Sequence, residues 1–150
     1  MQIWVDADAL PKAIKEIIFR AAERVRVQAL FVANKPLYLP SSPFIAFLQV
    51  GGGLDVADNE ITRRVQPGDL VITADVPLAA AIVGKDAFAL SPRGILFTED
   101  NVGERLSVRN FLDELRGDGI QTGGPSVFGQ KEKQAFANQL DRFLTRHVEE

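Results

Sequence analysis

Apolar residues fall along this chain in short runs separated by polar punctuation, and the runs are of two kinds. Ile3-Trp4-Val5 is brief, strand-like and stopped by Asp6-Ala7-Asp8. After Pro11, apolar residues recur at Ala13, Ile14, Ile17, Ile18, Ala21, Ala22 and Val25, with Lys12, Lys15, Glu16, Arg20 and Glu23 between them. That i, i+3, i+4 spacing predicts an amphipathic helix. Val27 to Ala33, Phe44 to Val50, Leu70 to Thr73 and Ala87 to Leu90 are further strand-like runs, and Ile95 to Phe97 is a shorter one. Ile61 and Val65 predict a short helix, capped by Asp58 or Asn59. Asp75-Val76-Pro77 reads as the start of a nearly all-apolar helix ending at Gly84. Two later helices are expected, one carrying Leu106, Phe111, Leu112 and Leu115, the other Phe136, Leu140, Phe143 and Leu144. The glycine-rich stretch Gly117 to Gly129 is expected to be a loop between them.

Strands alternating with helices predict an α/β fold, with a parallel central sheet of about four to five strands and helices on both faces. The result is a three-layer sandwich forming a single domain over 1–150. Such sheets bind ligands outside the carboxyl ends of their strands, where strand order reverses. The acids of this chain follow the strands: Asp6 and Asp8 the first, Asp55 and Asp58 the third, Asp75 the fourth.

Composition narrows the chemistry. The absence of cysteine excludes disulfides, thiolate metal sites and cysteine nucleophiles. One histidine, His147, argues against a Ser-His-Asp triad or a multi-histidine metal site. A net charge of −3 means that a nucleic-acid partner would need a local basic patch. The early Asp6 argues against a signal peptide, and the run Val76 to Val83 is too short to span a bilayer, so a soluble, cytoplasmic protein is expected.

Asp6-Ala7-Asp8 is the sharpest local feature. A carboxylate ending an apolar strand is costly unless paired, hydrogen-bonded or bound to a cation. Several acids at one sheet edge repel each other, and a divalent ion relieves that repulsion. Oxygen ligands without histidine or cysteine favour Mg²⁺ or Mn²⁺, held by Asp6, Asp8, Asp58 and Asp75. The competing reading is that Asp6 and Asp8 cap the helix after Pro11, while Asp58 and Asp75 cap theirs. Asp55, Thr73, Asn34 and Asn59 are supporting candidates at the same edge, although Asn34 and Asn59 also suit ordinary turns. Lys12, Arg63, Arg64, Arg93, Arg105 and Arg109 are candidate phosphate contacts. Neither Gly51-Gly52-Gly53 nor Gly123-Gly124-Pro125 has the spacing of a nucleotide-binding loop.

The stretches IWVDADALPKAIKEI, VAN at 32–34, DVADNEI at 55–61, GDLVITADVPLA at 68–79, PRG at 92–94 and TGGP at 122–125 resemble the YaiI/YqxD family of bacterial proteins. The resemblance spans essentially the whole chain. It implies membership of a family without an established activity, itself distantly similar to PIN-like nucleases, in which clustered acids bind Mg²⁺ or Mn²⁺ beside a parallel sheet. Asp6 and Asp8 match the first acidic motif of the family, Asp55 and Asp58 its second, and Asp75 the acid after strand four. Where the family commonly has cysteine, in DADACP, this chain has Leu10, so thiol chemistry there is dispensable.

The function expected is a divalent-metal-dependent phosphodiesterase or ribonuclease acting on single-stranded RNA or another phosphodiester, with Asp6, Asp58 and Asp75 at the catalytic centre. Two alternatives stand beside it. The D-x-D after a strand is similar to haloacid-dehalogenase-type phosphatases, with Asp6 as covalent nucleophile and Thr73 and Lys85 binding phosphate. The third is a non-catalytic RNA- or nucleotide-binding module.

Overall fold

The computed structural model describes residues 1–8, 10–53, 55–104 and 129–148. The expected helix around Leu106 to Leu115, and most of the Gly117 to Gly129 loop, lie outside the described residues, as do Arg105 and Arg109.

Six strands form one sheet: β1 (Ile3–Asp6), β2 (Ala29–Ala33), β3 (Ile45–Gln49), β4 (Leu70–Ile72), β5 (Phe88–Leu90) and β6 (Leu96–Phe97). Their order is β3-β2-β1-β4-β5-β6. The first five are mutually parallel and β6 is antiparallel to β5. The sheet thus has one strand more than the four to five expected. The addition is the short run at Ile95 to Phe97, turned back against β5 by the tight connection through Gly94. Gly94 has φ +87°, and a β-carbon there would lie 2.7 Å from the Ala135 carbonyl carbon, so only glycine lets this turn approach its neighbour.

The helices are α1 (Lys12–Val25), α2 (Val56–Arg64), α3 (Val76–Val83) and α4 (Gln130–His147), and residues 99–104 are also helical. Alternating strand residues feed two separate cores. Ile3 and Val5 pack with Phe31, Leu70 and Ile72 under α1 and α4, through Ile14, Ile18, Phe136 and Leu140. Trp4, Val32, Val71 and Ala89 pack on the other face under α2 and α3, through Ile61, Leu78 and Ile82. Both faces of the sheet are therefore covered, as a buried parallel sheet requires.

β1 leads outward to β2 and β3, and the chain then returns across the sheet through α2 to β4 on the other side of β1. Strand order thus reverses between β1 and β4, the position at which doubly wound sheets open a crevice at their carboxyl edge. The opposite edge is closed by Asp69. Its buried carboxylate accepts the Gln2 N–H at 3.0 Å, the Trp4 Nε1–H at 3.0 Å and the Gln66 N–H at 2.9 Å. Among the described residues no helix is long and apolar enough to cross a membrane.

Candidate functional site

The register brings the acids together. Val5 of β1 pairs with Ile72 of β4, so the next residues, Asp6 and Thr73, are side by side at the carboxyl edge. The Thr73 hydroxyl donates to Asp6 Oδ2 at 2.8 Å and accepts the Asp75 N–H at 3.0 Å. Thr73 is completely buried, so this hydroxyl is a fixed link between the ends of β1 and β4. Asp75 then occupies the N-cap of α3, accepting the Leu78 N–H at 3.0 Å, with Pro77 in the first turn. The capping expectation is met at Asp75.

It is not met at the other acids. α1 begins after Pro11 with no side-chain cap, so neither Asp6 nor Asp8 caps it. α2 begins earlier than the sequence suggests, at Val56, with Asp55 at the N-cap position in a left-handed conformation (φ 62°) and no side-chain cap bond. Asp58 and Asn59 are consequently inside the helix rather than at its cap. That inward position turns Asp58 toward Asp75 and Asp6 and sets its chemistry.

Burial, then the charges of Asp75 and Asp6, then a hydrogen bond with Asp75 and the charge of Asp55, push the Asp58 carboxyl up to about 7. The Asp6 carboxyl is also raised, mainly by burial, with the Thr73 hydrogen bond opposing and the charges of Asp75 and Asp8 adding. Acids from three separate segments therefore share one field. The N-terminal ends of α2 and α3 point into the same region and offset part of its negative charge. Asp55, Asp58, Asn59, Thr62, Asp75 and Pro77 are among the residues lining an open groove of about 460 Å³. Thr62 and Pro77 join this groove without a sequence signal for it: Pro77 signals only a helix start, and a threonine mid-helix carries no signal of its own.

The remaining candidates divide. Asp8 is turned aside: both of its carboxylate oxygens accept the Asn34 N–H, at 3.0 and 3.1 Å, tying the loop after β1 to the loop after β2. The Asn34 carbonyl accepts from the Gln49 side chain at 3.4 Å. Lys12 opens α1 at the carboxyl edge and is exposed. Arg63 and Arg64 both pair with Glu60, each at 2.5 Å, in the last turns of α2, and Arg93 pairs with Glu132 at 3.7 Å. Lys85 donates to the Thr62 carbonyl beyond the C-terminal end of α3, the end remote from Asp75. A phosphate role for Lys85 beside Asp6 therefore finds no geometric support. Among the described residues, no group of three or more acids or histidines is arranged to hold a metal ion as the side chains stand.

This arrangement can take up and release a proton near neutrality, and it can offer oxygen donors to a cation in exchange for that proton.

The family model described as "Uncharacterized BCR, YaiI/YqxD family" matches residues 4–146. A UPF0178 protein of Thioalkalivibrio sulfidiphilus is 60% identical over 146 residues, covering 97% of this chain and 99% of its own. A UPF0178 protein of Syntrophotalea carbinolica is 58% identical over 148 residues, covering 99% and 100%. One from Shewanella loihica is 56% identical over 147 residues, covering 98% of each. No solved structure matches the chain. With residues 4–146 matched by the model and nearly the whole chain by these relatives, the chain belongs to the YaiI/YqxD family.

Proposed function

We propose that this protein is a divalent-metal-dependent phosphodiesterase of the cytoplasm, acting on single-stranded RNA. One observation carries the reading: Asp6, Asp58 and Asp75 meet at the strand-order reversal and hold the Asp58 carboxyl up to about 7. Carboxyls so raised have a cost that a cation would relieve.

The donor set fits a hard cation by chemistry, being oxygen only, and Mg²⁺ or Mn²⁺ is the class it suits. The fit is not a ready-made cage, since among the described residues no three acids stand as a ligand set. Loading therefore requires Asp58 to give up its proton and Asp75 to turn an oxygen away from it. When bound, the ion would supply Lewis-acid stabilisation at a phosphodiester and a more acidic water. Asp6, Asp58 and Asp75 would hold it. Thr73 fixes Asp6 and the Asp75 backbone, while Asp55 adds negative potential at the groove. Asp8 supports from one step away, by bracing the loop that follows β2. Lys12 is a cation at this edge suited to a phosphate, and Asn59 offers an amide in the groove.

The test begins with Mn²⁺ titrated into the wild type, Asp6→Asn and Asp75→Asn, read by calorimetry and by melting temperature. Asparagine is itself a good N-cap, so Asp75→Asn removes charge while keeping α3 capped. The reading expects the ion to bind and stabilise the wild type and to do neither in the variants, and Mn²⁺-dependent cleavage of single-stranded RNA to vanish with them. Cleavage or binding that survives both substitutions would refute these roles.

A further inference from the structure

Among the described residues, a positive feature outside the acidic edge lies on α4. Arg142 and Arg146 lie one helical turn apart, both exposed, and neither makes an ion pair among the described residues. Like charges at i, i+4 destabilise a helix by a few tenths of a kcal/mol, about 0.2–0.5. Several other arginines are paired: Arg63 and Arg64 share Glu60, Arg24 pairs with Asp141 at 3.0 Å, and Arg93 with Glu132. Around Arg142 and Arg146 there is instead a cleft of about 220 Å³, lined by both of them with Gln139, Phe143, His147 and Leu96 of the edge strand β6.

The cleft has a defined floor. The His147 ring stacks on Phe143, with centroids 4.2 Å apart and planes 26° apart, and it also contacts Phe88 at 4.8 Å. Phe88 in turn meets Phe143 edge-on at 5.0 Å. The imidazole is thereby held against two phenyl rings, in a cleft that Arg142 and Arg146 also line. Arg146 and His147 also face the negative end of the α4 dipole. That role does not extend to Arg142, which precedes the last turn, or to Gln139. Two guanidiniums, an amide and an oriented aromatic ring form a set suited to a phosphate with a base beside it.

We propose that this cleft binds the phosphate backbone of single-stranded RNA, as a second contact site apart from the acidic edge. The two are on opposite layers of the sheet, since α4 packs with α1 while Asp58 and Asp75 belong to α2 and α3. From the proposed function this inference takes only the class of partner. It does not depend on catalysis or on a metal.

The experiment is fluorescence anisotropy of a labelled oligouridylate with the full chain, in EDTA, at several salt concentrations. The variants are the double substitutions Arg142→Gln/Arg146→Gln and Arg142→Lys/Arg146→Lys. The glutamine variant is expected to bind about tenfold more weakly. Its log–log salt slope should fall by about 1.4, at about 0.7 per single-strand phosphate contact. The lysine variant should keep the slope, because it keeps both positive charges. A glutamine variant with unchanged affinity and slope would overturn the inference. So would a wild type that binds no RNA in EDTA. Neither result bears on the Mn²⁺ titration, which decides the acidic edge separately.

Discussion

The Thr73 hydroxyl donates to Asp6 Oδ2 at 2.8 Å, joining residues 67 positions apart across the boundary between β1 and β4. Because the same oxygen accepts the Asp75 N–H, one buried hydroxyl sets the relative placement of two acids. Thr73→Val keeps the shape but leaves the Asp75 N–H without its acceptor and Asp6 without its donor. A loss of about 1–3 kcal/mol in unfolding free energy is expected, measured by urea denaturation. Thr73→Ser should recover most of it. The Asp6 carboxyl should also titrate higher in the valine variant, since the Thr73 bond is the one influence lowering it.

Asp58 gives the fold a pH dependence whose sign follows from its raised carboxyl. Its folded value is about 7 against 3.8 for the free side chain, so the native state holds more protons than the unfolded chain between those limits. Stability is then greatest below about 4 as far as this group is concerned, and is lost as pH rises through about 7. The wild type should therefore show a lower urea midpoint at pH 8 than at pH 5.5, and Asp58→Asn should flatten that difference. Identical pH profiles for the two proteins would show that Asp58 does not carry the raised titration.

Asp69 is a buried acid with a purely architectural part. It accepts three N–H groups at the edge remote from the groove. Asp69→Ala strands the buried Trp4 Nε1–H together with two backbone donors, and should cost about 3 kcal/mol by chemical denaturation. Mn²⁺ affinity, measured in the folded variant, should be unaltered, which separates this acid from Asp6.

Much of this architecture was legible because it rests on periodicity and on strand-end chemistry. α1 announced itself by its apolar face, and Asp6, Asp58 and Asp75 by their position after apolar runs. What escaped depends on the third dimension. Asp6-Ala7-Asp8 does not say that its second carboxylate turns to the Asn34 N–H, because that partner comes from the next strand. Asp69 sits in Pro-Gly-Asp, which reads as a turn, and only pairing with Trp4 makes it a buried acceptor. The start of α2 was misplaced because Asp55 adopts a left-handed conformation that sequence rarely discloses. A signal for Arg63 and Arg64 was present: Glu60 lies three and four residues before them, the spacing of helical ion pairs.

The three acids come from the first strand, the second helix and the approach to the third helix, and the sheet order makes them neighbours only after β4 has returned to lie beside β1. Their three-way electrostatic conflict is thus absent from any piece of the chain that ends before β4 and arises when β4 aligns with β1. No early folding intermediate lacking the β1–β4 pairing has to bear it, and no fragment ending before β4 can display it. Any motion that slides β1 against β4 would part Asp6 from Thr73 and Asp75, so the rigidity of one strand pair governs whether this edge exists as a single chemical unit.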